Sequence, residues 1–121
     1  SFGPAWPTIE TEVDHMAWFI LVIAGMMETI WAIALKYSHG FTKLWPTLIF
    51  LLAGGLSFWL LSLSLRTLPV GTAYAIWTGI GALGTVLFGM FFLGESKDWI
   101  RLVFLSLLIF SLVGLQITSE T

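Results

Sequence analysis

The stretch that decides the fold is MAWFILVIAGMMETIWAIAL, residues 16–35, in which Glu28 is the only charge. About 20 apolar residues are what a helix needs to cross a bilayer. Lipid offers backbone N–H and C=O groups no partners, so a spanning run of this kind must be helical. A charge near the middle of a membrane costs about 2.5–3.5 kcal/mol on insertion scales. Glu28 therefore needs a reason to be there.

Working outward, three more apolar runs follow: Trp45 to Leu65, Val70 to Leu93, and Trp99 to Ile117. With Met16 to Lys36 they make four expected transmembrane helices, at about 16–36, 45–65, 70–93 and 99–117. Pro46 lies where a first helical turn tolerates proline, and Pro69 opens the third run. The links Tyr37–Leu44, Arg66–Pro69 and Gly94–Asp98 are short, so neighbouring helices run antiparallel and both ends of the four-helix unit lie on one side. The fold class is an all-α integral membrane protein.

Composition agrees. The chain has 121 residues, 58% hydrophobic and only 10% charged, where a soluble domain carries about 25% charge. Its mean hydropathy is +0.96. Seven Trp suit membrane interfaces and aromatic-lined sites. There is no cysteine, which excludes disulfides and thiolate chemistry. The net charge of −2 points to no nucleic-acid partner. No nucleophile–base pair, phosphate loop or metal cluster is present, so neither an enzyme nor a cofactor is expected. His15 and His39 have no ligand company.

Residues 1–15 differ from the rest, with Pro4, Pro7 and the acids Glu10, Glu12 and Asp14. They read as an acidic arm or an expression remnant, with Met16-Ala17-Trp18 as a natural start. The four-helix transmembrane domain is then 16–121. Lys36, Lys43, Lys97 and Arg101 fall on the side of the first and third links, and Arg66 on the side of the ends. The positive-inside rule then puts the ends outside.

Glu28 has two readings. One is a protonated carboxyl in a structural hydrogen bond between helices. The other is a site that holds a proton or a cation in turn, because desolvation penalises the charged form unless a counter-charge is present. Trp31 shares its helix face, three residues on; its indole N–H can donate to a carboxylate and its ring can attract a cation. Tyr74 and Trp77 repeat the spacing in the third run, where Tyr74 can donate to Glu28 and both rings can stack on a flat cation. Ser57, like other small polar residues in spans, reads by itself as a packing residue. Gly79-Ile80-Gly81-Ala82-Leu83-Gly84 has the letters GxGxxG, but no strand precedes it and the dinucleotide reading fails. Gly79, Gly81 and Gly84 are instead a possible hinge in a weakened helix.

Four helices with one carboxylate enclose a gated path poorly. A dimer that brings two Glu28 side chains together makes a better exchanger, and the two would titrate as a coupled pair. The fourth helix, with Ser106, Ser111 and Gly114, is the expected dimer contact.

The stretches LKYSHGF (35–41), SFWLL (57–61), LPVGTAYAIWTGIGALGT (68–85) and GES (94–96), with Glu28 and Trp31, resemble the small multidrug resistance transporters. The resemblance runs from Met16 to about Ser119 and is strongest to the guanidinium-exporter subtype. It implies an antiparallel homodimer in the cell inner membrane in which both Glu28 residues bind guanidinium or protons alternately. It further implies that Trp31, Ser57, Tyr74 and Trp77 line the site, with Trp31 and Ser57 holding the carboxylates. The Lys/Arg asymmetry pulls against dual insertion; fixed insertion would call for a partner of opposite orientation. A quaternary-ammonium or polyaromatic drug exporter and a non-transporting membrane subunit are the competing expectations.

Overall fold

The computed structural model describes residues 7–118, with side chains from His15 onward. It contains four α-helices: α1 (Pro7–Tyr37), α2 (Leu44–Ser64), α3 (Val70–Phe92) and α4 (Trp99–Thr118). Each is long and apolar enough to cross a membrane. The last three agree with the expected spans to within a residue at each end. The first differs. Its apolar span is His15–Tyr37, and the helix continues upstream of it to Pro7. Proline is tolerated at a first helical position, nothing between it and Lys36 breaks a helix, and propagation from an existing helix adds a bond for each residue fixed. The remainder of the expected arm lies outside the described residues.

The ends are set by local chemistry. Ser38 closes α1: its hydroxyl donates to the Leu35 carbonyl at 2.7 Å and accepts the Phe41 N–H at 3.1 Å. His39, Gly40 and Phe41 then follow with φ of 48°, 70° and 69°. This left-handed corner brings the Thr42 and Lys43 N–H groups back onto the Ser38 carbonyl at 2.8 and 3.0 Å. Pro69, extended at φ −61°, starts α3. Gly94, at φ 74°, stops it and lets the Glu95 N–H reach the Gly89 carbonyl at 3.0 Å, the use of glycine expected after a helix end.

α1 is the centre of the protomer. It packs along both α2 and α3, which touch each other little, while α4 packs on α3. The core lies at the end of the bundle near the second link: Ala17, Leu21, Ala24, Leu61, Leu68, Ala73, Ile76 and Trp77. Small residues allow close helix approach. Gly25 receives Ile80, and Gly79 receives Leu112 of α4. No residue of α4 is buried, and Phe110 is 77% exposed. Such an apolar face matches hydrocarbon rather than water.

Candidate functional site

Glu28 lies on α1 with Trp31 one turn further, and the carboxyl points toward α3. There it rests on Gly81, where any Cβ would overlap Glu28 Oε1 and its carboxyl carbon. Glycine at 81 is thus a seat for the carboxyl. Among the described residues, Glu28 Oε1 and Trp31 Nε1 are both buried with no hydrogen-bond partner. Leaving a buried polar group unpaired costs about 1–3 kcal/mol, more when it is charged. The two groups lie one turn apart on α1.

Ser57, fully buried on α2, supports this arrangement from behind. Its hydroxyl donates to the Ala24 carbonyl at 2.7 Å and accepts the Trp77 indole N–H at 2.9 Å. One hydroxyl therefore joins α1, α2 and α3, one turn before Glu28. The carboxylate bonds expected of Ser57 and Tyr74 are absent within this protomer. The Ser57 proton is already committed to Ala24, and the Tyr74 ring is 57% exposed. Tyr74 packs against Trp77 with centroids 5.6 Å apart.

The rings form a continuous row. Trp31 stacks on Phe58 at 6.3 Å and 22°, Phe58 meets Trp77 at 5.2 Å, and Trp77 meets Tyr74. Phe50 closes the far side of Trp31 edge-on at 5.8 Å. Of the expected site residues, the structure thus brings Trp31, Ser57, Trp77 and Tyr74 into one connected wall, with Glu28 on the same stretch of α1. Phe58 was not singled out by sequence reasoning. Its signal was its place beside Ser57, in a run where aromatics are too common to stand out.

Two threonines were also passed over. Thr29 Oγ1 donates to the Gly81 carbonyl at 3.0 Å, and Thr85 Oγ1 donates to the same oxygen at 2.7 Å. A hydroxyl next to the one intramembrane carboxylate was the available clue. α3 is unbroken through Gly79, Gly81 and Gly84; in this conformation each glycine accepts a close neighbour: Leu112, Glu28 and Thr29 respectively. Among the described residues no cluster of three or more His, Cys, Asp or Glu that could hold a metal occurs.

Arranged this way, the site offers one carboxylate, one free indole donor and flat aromatic faces within the membrane. A carboxylate matches a planar fork of N–H donors bidentately, and ring faces attract cations.

Comparison with known proteins places the chain in a family. The family described as Small Multidrug Resistance protein matches residues 16–108. A protein named guanidinium exporter from Yersinia pseudotuberculosis is 53% identical over 104 residues, covering 86% of this chain and 100% of its own. A guanidinium exporter from Proteus vulgaris is 49% identical over 104 residues, again 86% and 100%. One from Salmonella typhimurium is 50% identical over 105 residues, 87% and 100%. With four spanning helices and a match over most of its length, the chain belongs to the small multidrug resistance family of transporters and is a multi-pass protein of the inner membrane.

Proposed function

We propose that this protein is a proton-coupled antiporter that exports guanidinium and small guanidinyl cations. The observation that carries the reading is the Glu28 carboxyl seated on Gly81 with Oε1 buried and unpartnered, beside the equally unpartnered Trp31 indole. The naming of relatives at about half identity as guanidinium exporters supports the choice of cation.

The working unit is an antiparallel homodimer in which both Glu28 side chains face a shared site. Protonated carboxyls release the cation, and ionised ones bind it, so a proton gradient on one side drives the cation the other way. Guanidinium is planar and donates in a rigid fork. The stacked Trp31 and Phe58 rings offer it flat walls. The α3 glycines yield as access alternates between the two sides.

The bulky-drug reading is disfavoured by the same pair, because Trp31 and Phe58 fill space that a large cation would use. The non-transporting reading requires Glu28 to make a structural hydrogen bond, and none is present for Oε1 among the described residues. The test is flux in proteoliposomes with wild type and Glu28→Gln. Guanidinium uptake driven by an imposed proton gradient and abolished in the variant is the expected result. Transport of bulky quaternary ammonium without guanidinium, or no flux of either from folded protein, overturns it.

A further inference from the structure

Two consecutive residues of α1 engage a single residue of α3. Glu28 packs its carboxyl on Gly81, and Thr29 donates a hydrogen bond to the carbonyl of that same Gly81 at 3.0 Å. Gly84 makes the second contact possible, since a Cβ there would overlap Thr29 Oγ1. Among the described residues this is the one side-chain hydrogen bond that runs directly from α1 to α3. The Ser57 network ties α1 to α2 at Ala24, one turn earlier. Without Thr29, the part of α1 that carries Glu28 would meet α3 by packing alone.

Packing of small and apolar residues sets how close two helices lie but leaves rotation about their axes only weakly determined. A directional bond does more, because it weakens steeply once donor and acceptor lose alignment. Turning α1 enough to lift Glu28 off Gly81 also carries the Thr29 hydroxyl away from its acceptor. The Gly81 carbonyl additionally accepts Thr85 Oγ1 at 2.7 Å. Such a bond back to residue i−4 tends to soften or bend a helix, so the acceptor sits in a turn of α3 that can give.

We propose that Thr29 is a positioning residue of the exchange site: its bond to the Gly81 carbonyl fixes the rotation of α1 against α3 and thereby holds the Glu28 carboxyl in the notch at Gly81. The proposal rests on Glu28 being the cation-binding carboxylate.

The experiment uses the full chain in lipid nanodiscs, with two readouts. One is guanidinium affinity. The other is the infrared stretch of the Glu28 carboxyl, assigned by its loss in Glu28→Gln. Thr29→Val keeps the side-chain shape and removes the donor. It is expected to weaken guanidinium binding about three- to tenfold, the range for one ordinary hydrogen bond, and to move the Glu28 band. Thr29→Ser keeps the donor and is expected to stay within about twofold of wild type with the band in place. Gly84→Ala, which pushes on the Thr29 hydroxyl, should reproduce Thr29→Val in both readouts.

A Val variant equal to wild type in both readouts, or a Ser variant no better than Val, overturns the proposal. If Thr29→Val does not fold, Gly84→Ala decides alone: an unmoved band overturns the clamp. If wild type binds no guanidinium, the functional reading fails, yet the band still decides whether Thr29 positions Glu28.

Discussion

The Trp77 indole N–H donates to the Ser57 hydroxyl at 2.9 Å, and that hydroxyl has no second proton to give because its own is donated to Ala24. The pair is a structural junction of three helices that also presents the back wall of the site. Trp77 is 3% exposed and Ser57 fully buried, so neither bond is shared with solvent.

Ser57→Ala should therefore destabilise the protomer. It leaves the Trp77 N–H without a partner in a buried place, at a cost of about 1–3 kcal/mol. Thermal unfolding in detergent is expected to show a lower midpoint for Ser57→Ala than for wild type. Equal midpoints would mean that water or lipid reaches the orphaned indole.

Gly81→Ala should separate helix stability from binding. Alanine is about 1 kcal/mol better than glycine in a helix interior, so α3 itself gains. The new Cβ, however, would overlap the Glu28 carboxyl. Guanidinium affinity is expected to fall about tenfold or more, which corresponds to about 1.4 kcal/mol of misfit. Gly55→Ala is the control, since a Cβ at Gly55 meets nothing within 4 Å. Unchanged affinity in Gly81→Ala would mean the carboxyl binds its cation from another position.

Phe58→Ala should alter selectivity. Phe58 stands between Trp31 and Trp77, 6.3 and 5.2 Å from their ring centres. Its removal takes away one flat wall and opens room between Trp31 and Trp77. Competition flux assays are expected to show weaker guanidinium transport together with new transport of a bulkier quaternary ammonium ion. Loss of both substrates from folded protein would assign Phe58 to packing alone.

Guanidinium binding should weaken as pH falls. The cation binds the ionised carboxylate and the proton neutralises it, so acid removes the binding form. In the acid range where the carboxyl is mostly protonated, the apparent affinity drops by about tenfold per pH unit for each proton the cation displaces. Titration calorimetry across pH in lipid checks this for wild type. An affinity independent of pH between about 5 and 9 would contradict exchange on a shared carboxylate.

The surface pair Arg101–Glu95, at 2.8 Å and partly exposed on both sides, offers a contrast. Exposed ion pairs contribute about 0–1 kcal/mol. Arg101→Ala is expected to leave guanidinium flux within about twofold of wild type, measured in the same liposomes.

Much of this was legible in the chain itself. Length and apolarity determined four spanning helices, because a bilayer leaves the backbone no other way to satisfy its hydrogen bonds. Glu28 stood out because charge is costly in hydrocarbon, and Trp31 followed from helical spacing. The apolar span of α1, His15–Tyr37, was legible, while the helix itself continues upstream to Pro7 because helical propagation does not require apolar side chains.

Partnership was decided only by the tertiary structure. Ser57 looked like packing until Ala24 and Trp77 came within reach of its one hydroxyl. Nothing in the spacing of Gly81 showed that the Glu28 carboxyl would rest on it. Thr29 gave no sign until α3 brought it a carbonyl. Spacing along one helix defines which side chains share a face, but which groups meet across helices depends on rotation and close approach. Those are set by the glycines and hydrogen bonds between helices, not by the periodicity within any one of them.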